Sequence, residues 1–251
     1  MSFFERDSFT GQLRPRPVFR IIAGSGRPLL GGMRVKAVSP GITFSDKTMT
    51  DSSSSHYHNR DGARQKERFD PQRALVLDDR ARFEYLPALE VAQLLDTPAG
   101  GALADFGTGT GAYAIELARL RPDIQIFAVD ELPEMLERLR SKPDLAMLKN
   151  LRPMLASEAD NLRGQMDRVL ALNVLHELGD EALRGLASLL KPAGFSVFID
   201  WNAEAERPVG PPADHVYTPA EARSRLGRMN WTVIQEKLFL YHYAFRAVIS
   251  S

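Results

Sequence analysis

Asp105-Phe106-Gly107-Thr108-Gly109-Thr110-Gly111 joins an acid to three evenly spaced glycines. It lies between an apolar run, Leu103-Ala104, and a helix-like run from Ala112 to Ala118. Glycine tolerates positive φ and has no Cβ, so such a backbone turns sharply and lies close against a ligand. A helix N-terminus after it offers free N–H groups and partial positive charge. Together they seat the polar part of a nucleotide-like cofactor. Two cofactor classes fit. Gly107, Gly109 and Ala112 satisfy the dinucleotide pattern G-x-G-x-x-G/A. A carboxylate at Asp105, however, repels a pyrophosphate and suits a cationic α-amino group, directly or through water.

With Asp105 leading the G-x-G-x-G run, the sequence resembles the class I S-adenosylmethionine-dependent methyltransferases, and within them the small-molecule enzymes of the type 11/25 kind. The resemblance covers residues 69–250 and implies S-adenosyl-L-methionine as donor and S-adenosyl-L-homocysteine as product. It implies that Asp105, Gly107, Gly109 and Gly111 hold the methionine end. Asp130 closes the next apolar run, 19 residues after Gly111. An acid there accepts both ribose hydroxyls, in this family and in NAD sites alike; the alternative is a cap on the following helix. Glu131 and Leu132 then line the ribose and adenine side. In Met154–Asp160 a small residue followed by an acid is the family's adenine contact; Ala159 and Asp160 fit best, with Glu158 as the other acid.

The run Asp167–Leu172 ends in Asn173, followed by His176 and Glu177, and resembles the family's fourth motif. Asn173 is expected at the donor. His176 is the candidate general base, its pKa lying near working pH; the competing reading is a structural histidine. The [D/N]-P-P-[Y/F] motif of enzymes that methylate base or glutamine amino groups is absent, which lowers the expectation of a nucleic-acid or protein-amide acceptor. Trp201 and His215 are candidate acceptor contacts, with Asp200 beside Trp201 at a strand tip.

These residues need a scaffold of alternating strands and helices, and the chain supplies one from Leu103 onward. A strand with its glycine loop is expected over 102–107, strands over 124–130 and 167–173, and a third strand with the loop after it over 154–160, with helices to Leu120 and over 132–139. Another helix runs from Asp180 to Leu190. Lys191-Pro192-Ala193-Gly194 reads as a turn and Phe195–Trp201 as the fifth strand. Residues 202–217 are a proline-rich connection, of the kind that varies to select acceptors. Thr218 caps a helix with Pro219 in its first turn. Trp231–Leu240 and Tyr241–Ile249 alternate as two strands too close for a crossover helix. The fold class is therefore α/β, a Rossmann-like seven-stranded mixed sheet with an antiparallel C-terminal hairpin and helices on both faces. Dinucleotide folds end in a parallel strand instead. Before the sheet, Phe69–Ala74 reads as a turn into a short helix, and Pro87 as the start of another.

Residues 1–65 differ from the rest. Between Ser8 and Ser45 there are Arg14, Arg16, Arg20, Arg27, Arg34 and Lys36 and no acid, and Ser52–Ser55 is low-complexity. This segment reads as a mostly disordered extension, and 66–251 as the methyltransferase domain. A transit peptide, or a working start at Met49, are its other readings. Two histidines, His56 and His58, lack a third ligand nearby, so no metal site is expected. Lys+Arg and Asp+Glu are both 32, giving no global field toward nucleic acid, and there is no cysteine. No run is long enough to span a bilayer. The cytoplasm is the default compartment. The expected function is methyl transfer to a small-molecule acceptor. The alternatives are an NAD(P)-dependent oxidoreductase and a non-catalytic adenosyl-binding scaffold of the same fold.

Overall fold

The structure, a computed structural model, describes residues 4–6, 13–15 and 76–250. The chain divides into two compact units, Met1–Ser55 and His56–Ser251. In the first, β1 (Phe4–Arg6) pairs antiparallel with β2 (Leu13–Pro15). The expectations of disorder over 1–65, of a metal-free His56/His58 and of a turn at Phe69–Ala74 otherwise lie outside the described residues.

The second unit is built on seven strands: β3 (Ala102–Phe106), β4 (Gln125–Asp130), β5 (Leu151–Leu155), β6 (Met166–Leu172), β7 (Leu190–Trp201), β8 (Trp231–Leu238) and β9 (His242–Ile249). Their order is β5-β4-β3-β6-β7-β9-β8. The first five run parallel. β9 inserts antiparallel between β7 and β8. Successive side chains on a strand face opposite ways. Accordingly Leu103, Ile126, Leu170 and Val197 enter one apolar cluster and Ala104, Val129, Val169 and Phe198 the other.

Helices cover both clusters. α1 (Arg82–Tyr85), α2 (Ala88–Leu95), α3 (Ala112–Leu120) and α4 (Pro133–Ser141) precede β5 or alternate with the early strands; α5 (Asp180–Leu189) and α6 (Pro219–Arg228) follow later. α2 and α3 bury Val91, Leu95, Ala114 and Leu117 in the first cluster, while α5 and α6 bury Leu183, Leu186 and Leu226 in the second. Pro87 precedes α2 as expected, because a fixed φ and a missing N–H cost nothing at a helix start. Thr218 and Glu221 make a reciprocal capping box on α6.

Two expectations need correction. β5 begins at Leu151 rather than Met154. The turn at Lys191–Gly194 lies inside β7: between Met166↔Leu190 and Arg168↔Phe195 the partner advances two residues and β7 five, so the turn residues bulge from a single strand.

Candidate active site

The carboxyl ends of the parallel strands open onto a cavity of about 290 Å³, bordered by the glycine loop and by the segments after β4 and β6. Ligands of such sheets bind at this end, where strand order reverses between β3 and β6. Gly107 (φ 73°), Gly109 (φ 57°) and Gly111 (φ 77°) all take the left-handed conformation. A Cβ at Gly107 would lie 2.6 Å from Val174 Cγ1, and one at Gly111 would collide with Leu139. The spacing of the three glycines thus follows from both backbone sign and close packing.

Two carboxylates flank this loop. Asp105 is buried at the end of β3 and accepts from Thr108 Oγ1 at 2.7 Å. Burial pushes its pKa up to about 6, against the Thr108 hydrogen bond and the Arg82 charge. Asp130, at the tip of β4, accepts from Gly109 N at 2.7 Å through Oδ2 and from Leu132 N at 3.0 Å through Oδ1. Burial raises its pKa as well, opposed by those backbone donors. It does not cap α4, whose cap residue is Leu132 without a side-chain bond. Asp130 instead fixes the loop, and it lines the cavity.

Seven expected residues border the one cavity: Asp105, Gly107, Gly109, Asp130, Glu131, Leu132 and Asn173. Gly111 stands behind the loop against Leu139. Asn173 holds φ 58°, an unusual value for a residue other than glycine. Its N donates to Ile199 O at 2.7 Å, and its Oδ1 is buried without a protein partner.

The remaining candidates lie elsewhere. Ala159 packs into the second cluster, and the Asp160 side chain is 78% exposed and paired with Arg163 at 2.9 Å. The 3-10 helix Ala156–Leu162 turns both away from the cavity, which Ala156 lines instead. Glu158 is exposed and accepts from Leu155 N. His215 sits in the short 3-10 turn Ala213–His215 and Trp201 is buried; neither borders the cavity.

His176 is also off the cavity, 6% exposed. Its Nδ1 meets both Asp200 oxygens at 2.9 Å, and its backbone N donates to Asp200 Oδ2 at 2.9 Å. Burial opposes its charge, but Asp200 and Glu177 outweigh burial and raise the pKa to about 9. An imidazolium at neutral pH has no lone pair to accept a proton. The ring stands paired with the fully buried Asp200 and outside the lining of the cavity.

Sequence reasoning missed Arg82 and Glu177, which both line the cavity. Arg82 Nη1 donates to Leu77 O at 2.6 Å, and its guanidinium lies 5.0 Å over the Tyr113 ring. No spacing rule marks an arginine in a four-residue helix upstream of the sheet. Among the described residues no cluster of His, Cys, Asp or Glu could hold a metal, and no helix is long and apolar enough to cross a membrane.

A sheet ending in an inserted antiparallel strand separates this architecture from the dinucleotide-binding one. The family model described as a methyltransferase domain matches residues 103–194. A crystal structure of an S-adenosylmethionine-dependent methyltransferase from Aquifex aeolicus is 27% identical, covering 73% of this chain and 100% of that one with a TM-score of 0.67. Residues 103–194 match a methyltransferase domain, and the fold is that of the class I S-adenosylmethionine-dependent methyltransferases. The PH0226 protein from Pyrococcus horikoshii OT3 shares the fold at 15% identity, over 68% of this chain and 91% of that one, with a TM-score of 0.53. Among curated proteins, the release factor glutamine methyltransferase of Escherichia coli (strain K12) is 32% identical over 98 residues, 39% of this chain. The match spans about a third (35%) of that enzyme's length.

Proposed function

We propose that this methyltransferase binds S-adenosyl-L-methionine in the cavity beside the glycine loop and methylates a small molecule. The observation that carries the donor assignment is the pair of buried acids on either side of that loop. Asp105 suits the α-ammonium, and Asp130 the ribose hydroxyls. Leu132 and Ala156 offer apolar surface for adenine, and the orphan Asn173 Oδ1 accepts from the donor's amino group or from the acceptor. Gly107 and Gly109 line the cavity with bare backbone, which is free to approach the ligand. When bound, the donor supplies an electrophilic methyl on a sulfonium. The protein's own contribution is alignment and exclusion of water. His176 and Asp200 hold the segment after β6 in place, outside the chemistry itself.

Calorimetric titration with S-adenosylmethionine, S-adenosylhomocysteine and NAD tests this reading. Binding of the two adenosyl compounds and not NAD supports it; NAD binding alone overturns it in favour of the oxidoreductase. Donor binding without turnover on any acceptor favours the scaffold reading. A protein acceptor is the second reading, favoured by the name of the Escherichia coli relative. Against it, Asn173 is followed by Val174-Leu175 where that class carries two prolines. Labelled methyl appearing in the protein fraction of an extract, and absent from its small molecules, would establish the second reading.

A further inference from the structure

A second group of buried polar atoms without protein partners lies outside the donor cavity. His242 opens β9 in register with Trp201, at the carboxyl end of β7. Its side chain is fully buried, and neither Nδ1 nor Nε2 has a hydrogen-bond partner. Burial pushes its pKa down to about 3, so the ring is neutral; Asp200, Arg82 and Arg207 are its charged neighbours. A neutral imidazole carries one N–H and one lone pair, and burying both unpaired costs free energy that a ligand contact relieves.

The surroundings are aromatic and cationic. Trp201 packs on the imidazole with centroids 4.1 Å apart, and Tyr85 stacks on it at 5.8 Å and 8°. The Arg207 guanidinium lies 5.4 Å over the Trp201 ring. Its Nη2 donates to Pro211 O at 2.6 Å, yet its Nε is buried without a partner. Gly210, at φ 94°, closes the 202–217 connection on the indole; a Cβ there would lie 3.0 Å from Trp201. The negative charge of Asp200 is already met by His176 and by two backbone N–H groups. Arg82 joins this group to the donor cavity, which it lines, and acts electrostatically on both Asp105 and His242.

We propose that His242, Arg207, Trp201 and Tyr85 form the acceptor subsite, and that the acceptor is a small acid, a phenol or thiol, reacting as its anion. The proposal rests on the donor reading above. The anion's oxygen or sulfur accepts from the neutral His242 N–H and lies in the field of Arg207 and Arg82. Guanidinium charge favours phenolate or thiolate over the neutral parent and repels a protonated amine. The half-buried Tyr85 moves off the imidazole to admit it. The acceptor's proton leaves to solvent before transfer. An O–CH3 or S–CH3 bond then forms, the sulfonium C–S bond breaks, and its electron pair stays on sulfur in a neutral thioether.

The test titrates the full chain, loaded with S-adenosylhomocysteine, with 4-nitrophenol, whose absorbance reports its phenolate fraction. Uptake as phenolate is expected, with Kd rising about tenfold or more in Arg207→Gln and His242→Leu. The Kd for S-adenosylhomocysteine should stay within about twofold, since neither residue borders the donor cavity. Thiophenol should compete and benzylamine should not. Arg207, only partly buried, keeps the test intact if the His242 variant fails to fold. Failure of S-adenosylhomocysteine to bind the wild type overturns the donor reading. Its binding without 4-nitrophenol uptake, with uptake unchanged in Arg207→Gln, or with benzylamine competing equally, overturns the acceptor inference alone.

Discussion

Replacing Asp105 by Asn should move stability and donor affinity in opposite directions. The folded protein holds this carboxyl at a pKa of about 6 against an ordinary 3.8, chiefly through burial. Below pH 3.8 both folded and unfolded chains keep the proton, and the group contributes nothing. Between 3.8 and about 6 the unfolded chain ionises first, so stability falls as pH rises. Above that window the penalty is constant, at about 3 kcal/mol for a shift of roughly two units at 1.36 kcal/mol each. Asn keeps an acceptor for the Thr108 hydroxyl and removes the charge. It also removes the attraction to Arg82, so the net gain at pH 8 should be about 1–3 kcal/mol. Urea unfolding of both proteins between pH 4 and 8 measures it. Calorimetry at pH 8 should show S-adenosylhomocysteine binding weakened roughly 10–100-fold, the loss of one hydrogen bond to a charged group. Wild-type affinity should itself decline below about pH 6, as Asp105 takes up its proton. A variant less stable than wild type at pH 8, or one that binds the ligand undiminished, would refute the reasoning.

The other expectations follow from the same geometry. Asp130→Ala removes the acceptor for Gly109 N and Leu132 N as well as the ribose contact, so adenosyl ligand affinity should fall by at least about tenfold in calorimetry. Asp160→Ala, at a surface ion pair off the cavity, should leave that affinity unchanged; a clear loss would support the adenine role expected of it. His176 has its pKa raised from 6.5 to about 9, so its pairing with Asp200 stabilises fully below 6.5 and is lost as pH climbs through 9. Denaturation midpoints should drop across that window in wild type and stay flat in His176→Gln, which is less stable at pH 7. Gly111→Ala, strained at φ 77° and driven into Leu139, should destabilise by about 1–3 kcal/mol in urea unfolding.

The parts of the site that could be read from the chain are those whose chemistry is local. Three glycines at alternate positions permit a left-handed turn that other residues resist, and an acid at the end of an apolar run lands at a strand tip. Trp231–Ile249 declared its hairpin because two alternating runs with so short a link cannot enclose a crossover. What stayed hidden depends on rotation and neighbours. Ala159 and Asp160 have suitable types, but a 3-10 turn rather than an extended loop points one inward and the other to solvent. His176 has a base's ordinary pKa in isolation; only the fold sets Asp200, 24 residues away, against its Nδ1. His242 gave no signal, since its significance is an absence of partners. Lys191–Gly194 has turn chemistry and does bend, yet β6 holds both flanks in one strand.

The insertion of β9 between β7 and β8 bears on the order in which the protein can be made. During synthesis β3 to β7 leave the ribosome before β8 and β9 and can assemble the glycine loop and both of its acids. The imidazole of His242, and the partner strand that closes β7, arrive only with the last segment of the sheet. A nascent chain would thus acquire a seat for the methyl donor well before it acquires the place where a methyl could be delivered.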